Sequence, residues 1–118
     1  MPVAVKRAYE PPTPADGYRI LVDRLWPRGL AKDEIEIDEW LKEAAPSDSL
    51  RKSFHKGEVT WSEFRKAYLA ELKTHRDELR RLADISKKGS LTIVFSAKDQ
   101  EHNNAVVFMQ YLQMLGGG

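Results

Sequence analysis

Two short apolar runs constrain the fold more than any other feature. Ile20-Leu21-Val22 and Leu91-Thr92-Ile93-Val94-Phe95 are rich in β-branched residues and show no regular polar alternation. Such runs suit strands covered on both faces. Residues 23–90 separate them, and much of that stretch repeats its apolar residues at helical spacing. A long helical connection between two strands implies parallel pairing through a right-handed crossover. The expected fold is therefore α/β, a small single domain whose mostly parallel sheet of few strands is flanked by helices. Val3-Ala4-Val5-Lys6-Arg7 alternates and reads as a first strand of open direction. The domain is expected to occupy residues 1–115, with residues 116–118, all glycine, as a helix stop and flexible tail.

Local signals mark the helices. Ser47 reads as the cap of a helix bearing Leu50 and Phe54, which Gly57 ends. Thr60-Trp61-Ser62-Glu63 is a capping box, in which hydroxyl and carboxylate each take the other residue's backbone N–H. Trp61, Phe64, Tyr68, Leu72, Leu79 and Leu82 then recur at helical spacing, with a kink or restart at His75-Arg76 and a stop at Gly89. Ala31 to Glu36 reads as a turn or short helix, and Asp38 to Glu43 as a short helix capped by Asp38. The last helix is expected to begin at or just after Asp99. Trp40, Trp61 and Tyr68 are expected on helical apolar faces, in the core.

Composition narrows the function classes. A net charge of +1 gives no bulk attraction to nucleic acid or anionic membranes. The chain has no cysteine, which excludes disulfides, thiolate metal sites and a Cys nucleophile. No apolar run approaches a membrane span and no signal-peptide pattern opens the chain, so a cytoplasmic location is expected. His55, His75 and His102 form no H-x-x-x-H pair, and no spacing argues for a metal site. Neither G-x-x-x-x-G-K-[ST] nor G-x-G-x-x-G occurs, so no cofactor is specified.

Two polar stretches carry the candidate chemistry. Asp23, Arg24, Trp26 and Arg28 follow the first apolar run; Ser96, Lys98, Asp99, His102 and Asn103 follow the second. If the strands are parallel, both stretches emerge at the carboxyl edge of the sheet, where open α/β sheets bind ligands. Arg24, Arg28 and Lys98 supply positive charge beside a helix start, and arginine suits a carboxylate or phosphate. His102 is the candidate general acid/base because its reference pKa lies near neutrality, with Asp23 orienting it or acting as a base. Arg51 and His55 share a helix face that can form a third wall. Structural readings stand beside these: an Asp23–Arg24 ion pair, Trp26 as a core plug, Ser96 or Asp99 as helix caps, Arg51 as solvated charge.

Arg19-Ile20-Leu21-Val22-Asp23-Arg24-Leu25-Trp26-Pro27-Arg28-Gly29 closely resembles the signature of the DUF488 family, in its short YeaO-like branch. Ala45-Pro46-Ser47 with Leu50-Arg51, Trp61-Ser62-Glu63-Phe64, and Ala97 through Ala105 fit the same branch in the expected order. The resemblance covers nearly the whole chain. It implies an α/β fold and supplies no established reaction.

Two function classes follow. One is an enzyme or binding domain for a small anionic ligand, phosphorylated or nucleotide-like, with Asp23 and His102 as catalytic groups. Arg24, Trp26, Arg28, Arg51, Ser96, Lys98, Asp99 and Asn103 would then hold the ligand. The other is a noncatalytic interaction module for an acidic peptide, RNA end or protein partner. Oligomeric state is open.

Overall fold

A computed structural model describes residues 3–116. The sheet has four parallel strands among these residues: β1 (Val3–Arg7), β2 (Tyr18–Leu21), β3 (Glu39–Trp40) and β4 (Leu91–Phe95). Their spatial order is β1-β4-β2-β3. The expected adjacency is present, with Ile20 opposite Ile93 and Leu21 opposite Val94 in parallel register. β1 is parallel too, pairing Val3 with Leu91 and Arg7 with Phe95. Every residue of β4 is buried, as its unbroken apolar composition requires of an interior strand.

Two apolar clusters show why the strands carry no alternation. Ile20, Val22, Ile93 and Phe95 face the larger cluster, which includes Phe64, Tyr68, Leu72, Leu79, Leu82, Phe108 and Leu112. These come from α3 (Trp61–Lys73), α4 (Arg76–Lys88) and α5 (Asn104–Met114). Leu21 and Val94 point the other way, into a small cluster with Ala8 and Ile35. Ile35 belongs to the one-turn helix α1 (Lys32–Ile35), which lies in the expected turn. Burial of about 25 cal/mol per Å² of apolar surface drives both layers.

The capping box forms as expected. Thr60 Oγ1 accepts from the Glu63 N–H at 3.1 Å, and Glu63 Oε1 accepts from the Thr60 N–H at 2.8 Å. Phe64, Tyr68 and Leu72 are buried, whereas Trp61 is only half-buried. The restart near His75 is real: α3 ends at Lys73 and α4 begins at Arg76. α2 (Asp48–His55) is capped by Ser47, whose hydroxyl accepts from the Leu50 N–H. Glycine is required at Gly17, immediately before β2. Its φ is +66°, and a Cβ there would lie 2.3 Å from the Ser90 carbonyl oxygen.

Three expectations need correction. Asp38 to Glu43 is not a helix capped by Asp38. Glu39–Trp40 forms β3, and Lys42–Ala44 is a turn of 3₁₀ helix. Asp38 instead accepts from the Arg19 N–H at 2.8 Å, and the Leu41 N–H donates to the Leu21 carbonyl at 2.8 Å, so this segment is laid along β2. Trp40 accordingly sits on an edge strand, 38% exposed, rather than in the core on a helix. The last helix begins at Asn104, not at Asp99, and Asn103 is its cap. Of the expected Gly tail, residues 117–118 lie outside the described residues, and Gly116 has φ +88°.

Candidate functional site

The carboxyl ends of β2 and β4 are joined by one carboxylate. Asp23 Oδ2 accepts from the Ser96 N–H at 2.8 Å and from the Ser96 hydroxyl at 2.6 Å. Asp23 Oδ1 accepts from the Asn104 amide at 2.9 Å, and the same amide donates to the Val22 carbonyl. Asp23 therefore ties both strand ends to the first residue of α5. Its backbone carbonyl accepts from the Trp40 indole N–H at 2.7 Å. No Asp23–Arg24 ion pair forms among the described residues. Arg24 reaches the other way, donating from Nε to the Pro46 carbonyl at 3.1 Å and from Nη2 to the Ala45 carbonyl at 3.3 Å.

Beside this tie lies a pocket of about 180 Å³. Its polar wall includes Asp23, Arg24, Arg51, His102, Asn103 and Asn104, with Ser96 and His55 also on the lining. Leu25, Pro46, Phe54, Phe64 and Ala97 form an apolar wall. The α2 face carrying Arg51 and His55 is thus a third side of the cavity, as their spacing leads one to expect. Arg51 is its unusual member. Nη2 meets the exposed Asp48 carboxylate at a long 3.4 Å. Nε is buried and has no hydrogen-bond partner, the one buried side-chain nitrogen or oxygen in that condition among the described residues. A buried polar group in that state calls for an explanation.

The 96–103 loop is shaped by Asp99. Its Oδ1 accepts from the backbone N–H groups of Glu101 and His102, both at 2.9 Å. The His102 N–H, then that of Glu101, hold the Asp99 carboxyl below the ordinary carboxylate range. His102 Nδ1 lies 3.4 Å from Asp99 Oδ2, and its ring sits 5.0 Å from the Trp61 ring. The histidine is therefore presented at the pocket by Asp99 and Trp61, before α5 rather than in its first turn. Asn103 caps α5, its Oδ1 accepting from the Val106 N–H at 3.1 Å.

Not all the expected site residues meet. Asp23, Arg24, Arg51, Ser96, His102 and Asn103 line the pocket, whereas Trp26, Arg28, Lys98 and Asp99 do not. Trp26 turns toward the smaller apolar cluster, and its indole N–H donates to the Leu30 carbonyl at 2.7 Å. That packing carries Arg28 away, its carbonyl taken by the Tyr9 hydroxyl and its side chain exposed. Lys98 is exposed on the loop. Asn104 is not among the expected residues. The signal that marks it is low helix propensity next to a second asparagine, at the start of an otherwise apolar helix.

Tyr68 is fully buried behind Phe64 on α3. Its hydroxyl donates to the Ala44 carbonyl at 2.7 Å. Burial, with the nearby Asp23 carboxylate adding to it, pushes its pKa well up, so the phenol stays neutral. Among the described residues no cluster of His, Asp or Glu is arranged to hold a metal, and no helix is long and apolar enough to cross a membrane.

Residues 2–115 match the model of a family described as the inactive DUF488-N3 subclade. The uncharacterised protein YeaO of Escherichia coli (strain K12) is 51% identical over 115 residues, covering 98% of this chain and 100% of that protein. An uncharacterised protein of Mycobacterium tuberculosis (strain ATCC 25618 / H37Rv) is 36% identical over 110 residues, covering 93% of this chain and 92% of that one. No solved structure matches the chain.

Proposed function

The chain belongs to the DUF488 family, and on that premise we propose that it binds a small anion, without catalysis, in the pocket at the carboxyl edge of its sheet. One observation carries the reading: Arg51 lines the pocket and its Nε is buried without an acceptor. An unsatisfied buried donor costs about 1–3 kcal/mol, more when charged, and an anion's oxygen removes that cost. Arg24 adds charge to the same lining, with Nη1 left outside its two carbonyl bonds.

Binding is favoured over acid/base chemistry by what Asp23 and His102 touch. Asp23 Oδ2 accepts two hydrogen bonds and Oδ1 one, so three of its roughly four lone-pair sites hold the strand ends and α5 together. His102 is oriented by Asp99 rather than by Asp23, so the two do not form an acid/base pair. The family's description as an inactive subclade agrees with a role without turnover. The volume equals roughly six waters at about 30 Å³ each, which suits phosphate or a short organic anion better than an entire nucleotide.

A second reading, a noncatalytic interaction module, draws on the exposed side chains of Leu25, which lines the pocket, and of Trp40, which donates to the Asp23 carbonyl. Solution NMR separates the two. Phosphate, sulfate and acetate are each titrated at constant ionic strength, following the Arg51 Nε–H and the amides of residues 96–104. At least one anion is expected to shift these signals saturably. Arg51→Gln should abolish the response, and Arg28→Ala, outside the pocket, should keep it. Silence with every anion, or an unchanged response in Arg51→Gln, would remove the anion reading and leave the interaction module.

A further inference from the structure

Resting on the anion reading above, we propose that the pocket selects a monocarboxylate attached to a compact apolar body. Charge is the first ground. Arg24 and Arg51 both lie near the Asp48 carboxylate, at 3.9 and 3.4 Å, and the pocket also contains the Asp23 carboxylate. Two guanidinium groups thus face two carboxylates. These charges balance, which disfavours a phosphate dianion, and displacing Asp48 from Arg51 would free one positive charge for a single negative one.

Geometry is the second ground. The Nε and Nη2 edge of an arginine matches the two oxygens of a carboxylate. On Arg51 Nε is covered and has no acceptor, and Nη2 is held by a long contact to an exposed aspartate. A ligand carboxylate that draws the guanidinium away from Asp48 into the pocket would satisfy Nε and replace Asp48 at Nη2. The third ground is the apolar part of the lining. Phe54, Phe64, Pro46, Leu25 and Ala97 present carbon rather than donors. An inorganic anion leaves that surface wet, whereas a small ring or branched chain covers it. The cavity of about 180 Å³ holds a ligand of roughly benzoate size.

Asp48 competes with the ligand for Arg51, so removing its charge should tighten binding although it is exposed.

The test is calorimetric titration of the protein with sodium benzoate, inorganic phosphate and benzamide at fixed ionic strength, repeated on Arg51→Gln and Asp48→Asn. Retained amide spectra establish that both variants fold. Benzoate is expected to bind at least about tenfold more tightly than phosphate, and benzamide, which has the ring without the charge, at least about tenfold more weakly than benzoate. Arg51→Gln should lose about tenfold in benzoate affinity, and Asp48→Asn should gain a few fold. Phosphate equal to benzoate, with both lost in Arg51→Gln, would overturn the carboxylate proposal and leave the anion reading standing. Benzamide equal to benzoate, or no binding of either anion, would overturn both. Weaker benzoate binding in Asp48→Asn would overturn the competition that the proposal requires.

Discussion

Two arginine clusters flank this small sheet, and they use their donors differently. Arg19, at the start of β2, is 4% exposed and fully engaged. Nη1 meets Asp16 Oδ2 at 2.6 Å, Nη2 donates to the Ile35 carbonyl at 2.8 Å, and Nε is shared between the Ile35 and Glu36 carbonyls at 3.2 Å. Asp16 also accepts from Lys6, from the Thr13 N–H and from the Thr13 hydroxyl. Arg51, at the other end of the molecule's polar chemistry, keeps Nε buried and unmatched. The first cluster is closed and locks α1 and the 3₁₀ turn at Pro14–Asp16 onto the sheet. The second leaves one donor covered and unmatched, on a residue that lines a cavity. The contrast teaches that a basic residue's value as a binding candidate lies in unspent donors, not in charge or position.

The same test reinterprets the signature from Arg19 to Gly29. Arg19 locks the Asp16 cluster, Asp23 ties two strand ends to α5, Arg24 holds the Ala45 and Pro46 carbonyls, and Trp26 holds Leu30. Most of that run works as architecture around the pocket. The vacant donor comes from α2, outside the run.

Breaking the closed cluster should have the largest effect. Asp16→Asn removes the charge opposite a buried guanidinium and is expected to cost about 3–5 kcal/mol in denaturant unfolding. Acid supplies an independent check. Burial raises the Asp16 pKa, but the Thr13 N–H, Lys6 and the Thr13 hydroxyl outweigh it and bring it to about 2 from 3.8. The folded value is depressed, so the stabilisation is present above the ordinary carboxylate range and fades as pH falls from about 4 toward 2. Asp16→Asn should flatten that part of the stability profile. A parallel acid slope in wild type and variant would show that Asp16 is not the carboxylate that sets it.

Cutting the tie at Asp23 should come next. Asp23→Ala leaves the Ser96 hydroxyl and the Asn104 amide without their shared acceptor, and these groups are only part-buried. A loss of about 1–3 kcal/mol is expected. Amide exchange should rise first at residues 96–104, because that segment loses its anchor to β2. Protection unchanged there would mean that the strand ends are held without the carboxylate.

How much of this is legible in sequence depends on where the determining contact lies. β4, the Thr60 box and the Ser47 cap are written within a few residues, and connection length alone implies the parallel β2–β4 pair. β3 is different. Asp38-Glu39-Trp40 carries a cap residue and an acidic first turn, the local marks of a helix. It becomes a strand because Arg19 donates to Asp38 and because Tyr18 and Arg81 both bond Glu39, contacts from distant parts of the chain. The start of α5 differs from its local marks for a related reason. Asp99 and Asn103 are both cap-forming types four residues apart, and the Asp99 turn delays the helix. At the pocket, helical spacing puts Arg51 and His55 on one face. Spacing carries no information on which guanidinium nitrogen is left without an acceptor, since that depends on the arrival of Asp48, Pro46 and the 96–103 loop in space.

The smallest effect is expected at Arg51, and it bears most directly on the comparison. If Arg51 were architectural like Arg19, Arg51→Gln would destabilise by well over 1 kcal/mol. Its one ionic contact is instead an i,i+3 pair with an exposed aspartate, worth about 0.5 kcal/mol or less. Removing Nε also removes an unmatched buried donor, which works in the variant's favour. Glutamine is nearly as good a helix former as arginine, and it keeps part of the apolar stem. These terms nearly cancel, so the unfolding free energy without added anion should stay within about 0.5 kcal/mol of wild type. With benzoate at about 100 times its dissociation constant, wild type should gain about 2.7 kcal/mol and the variant much less. A variant already destabilised without benzoate, and no more affected with it, would put Arg51 beside Arg19 as a structural residue and erase the distinction between the two clusters.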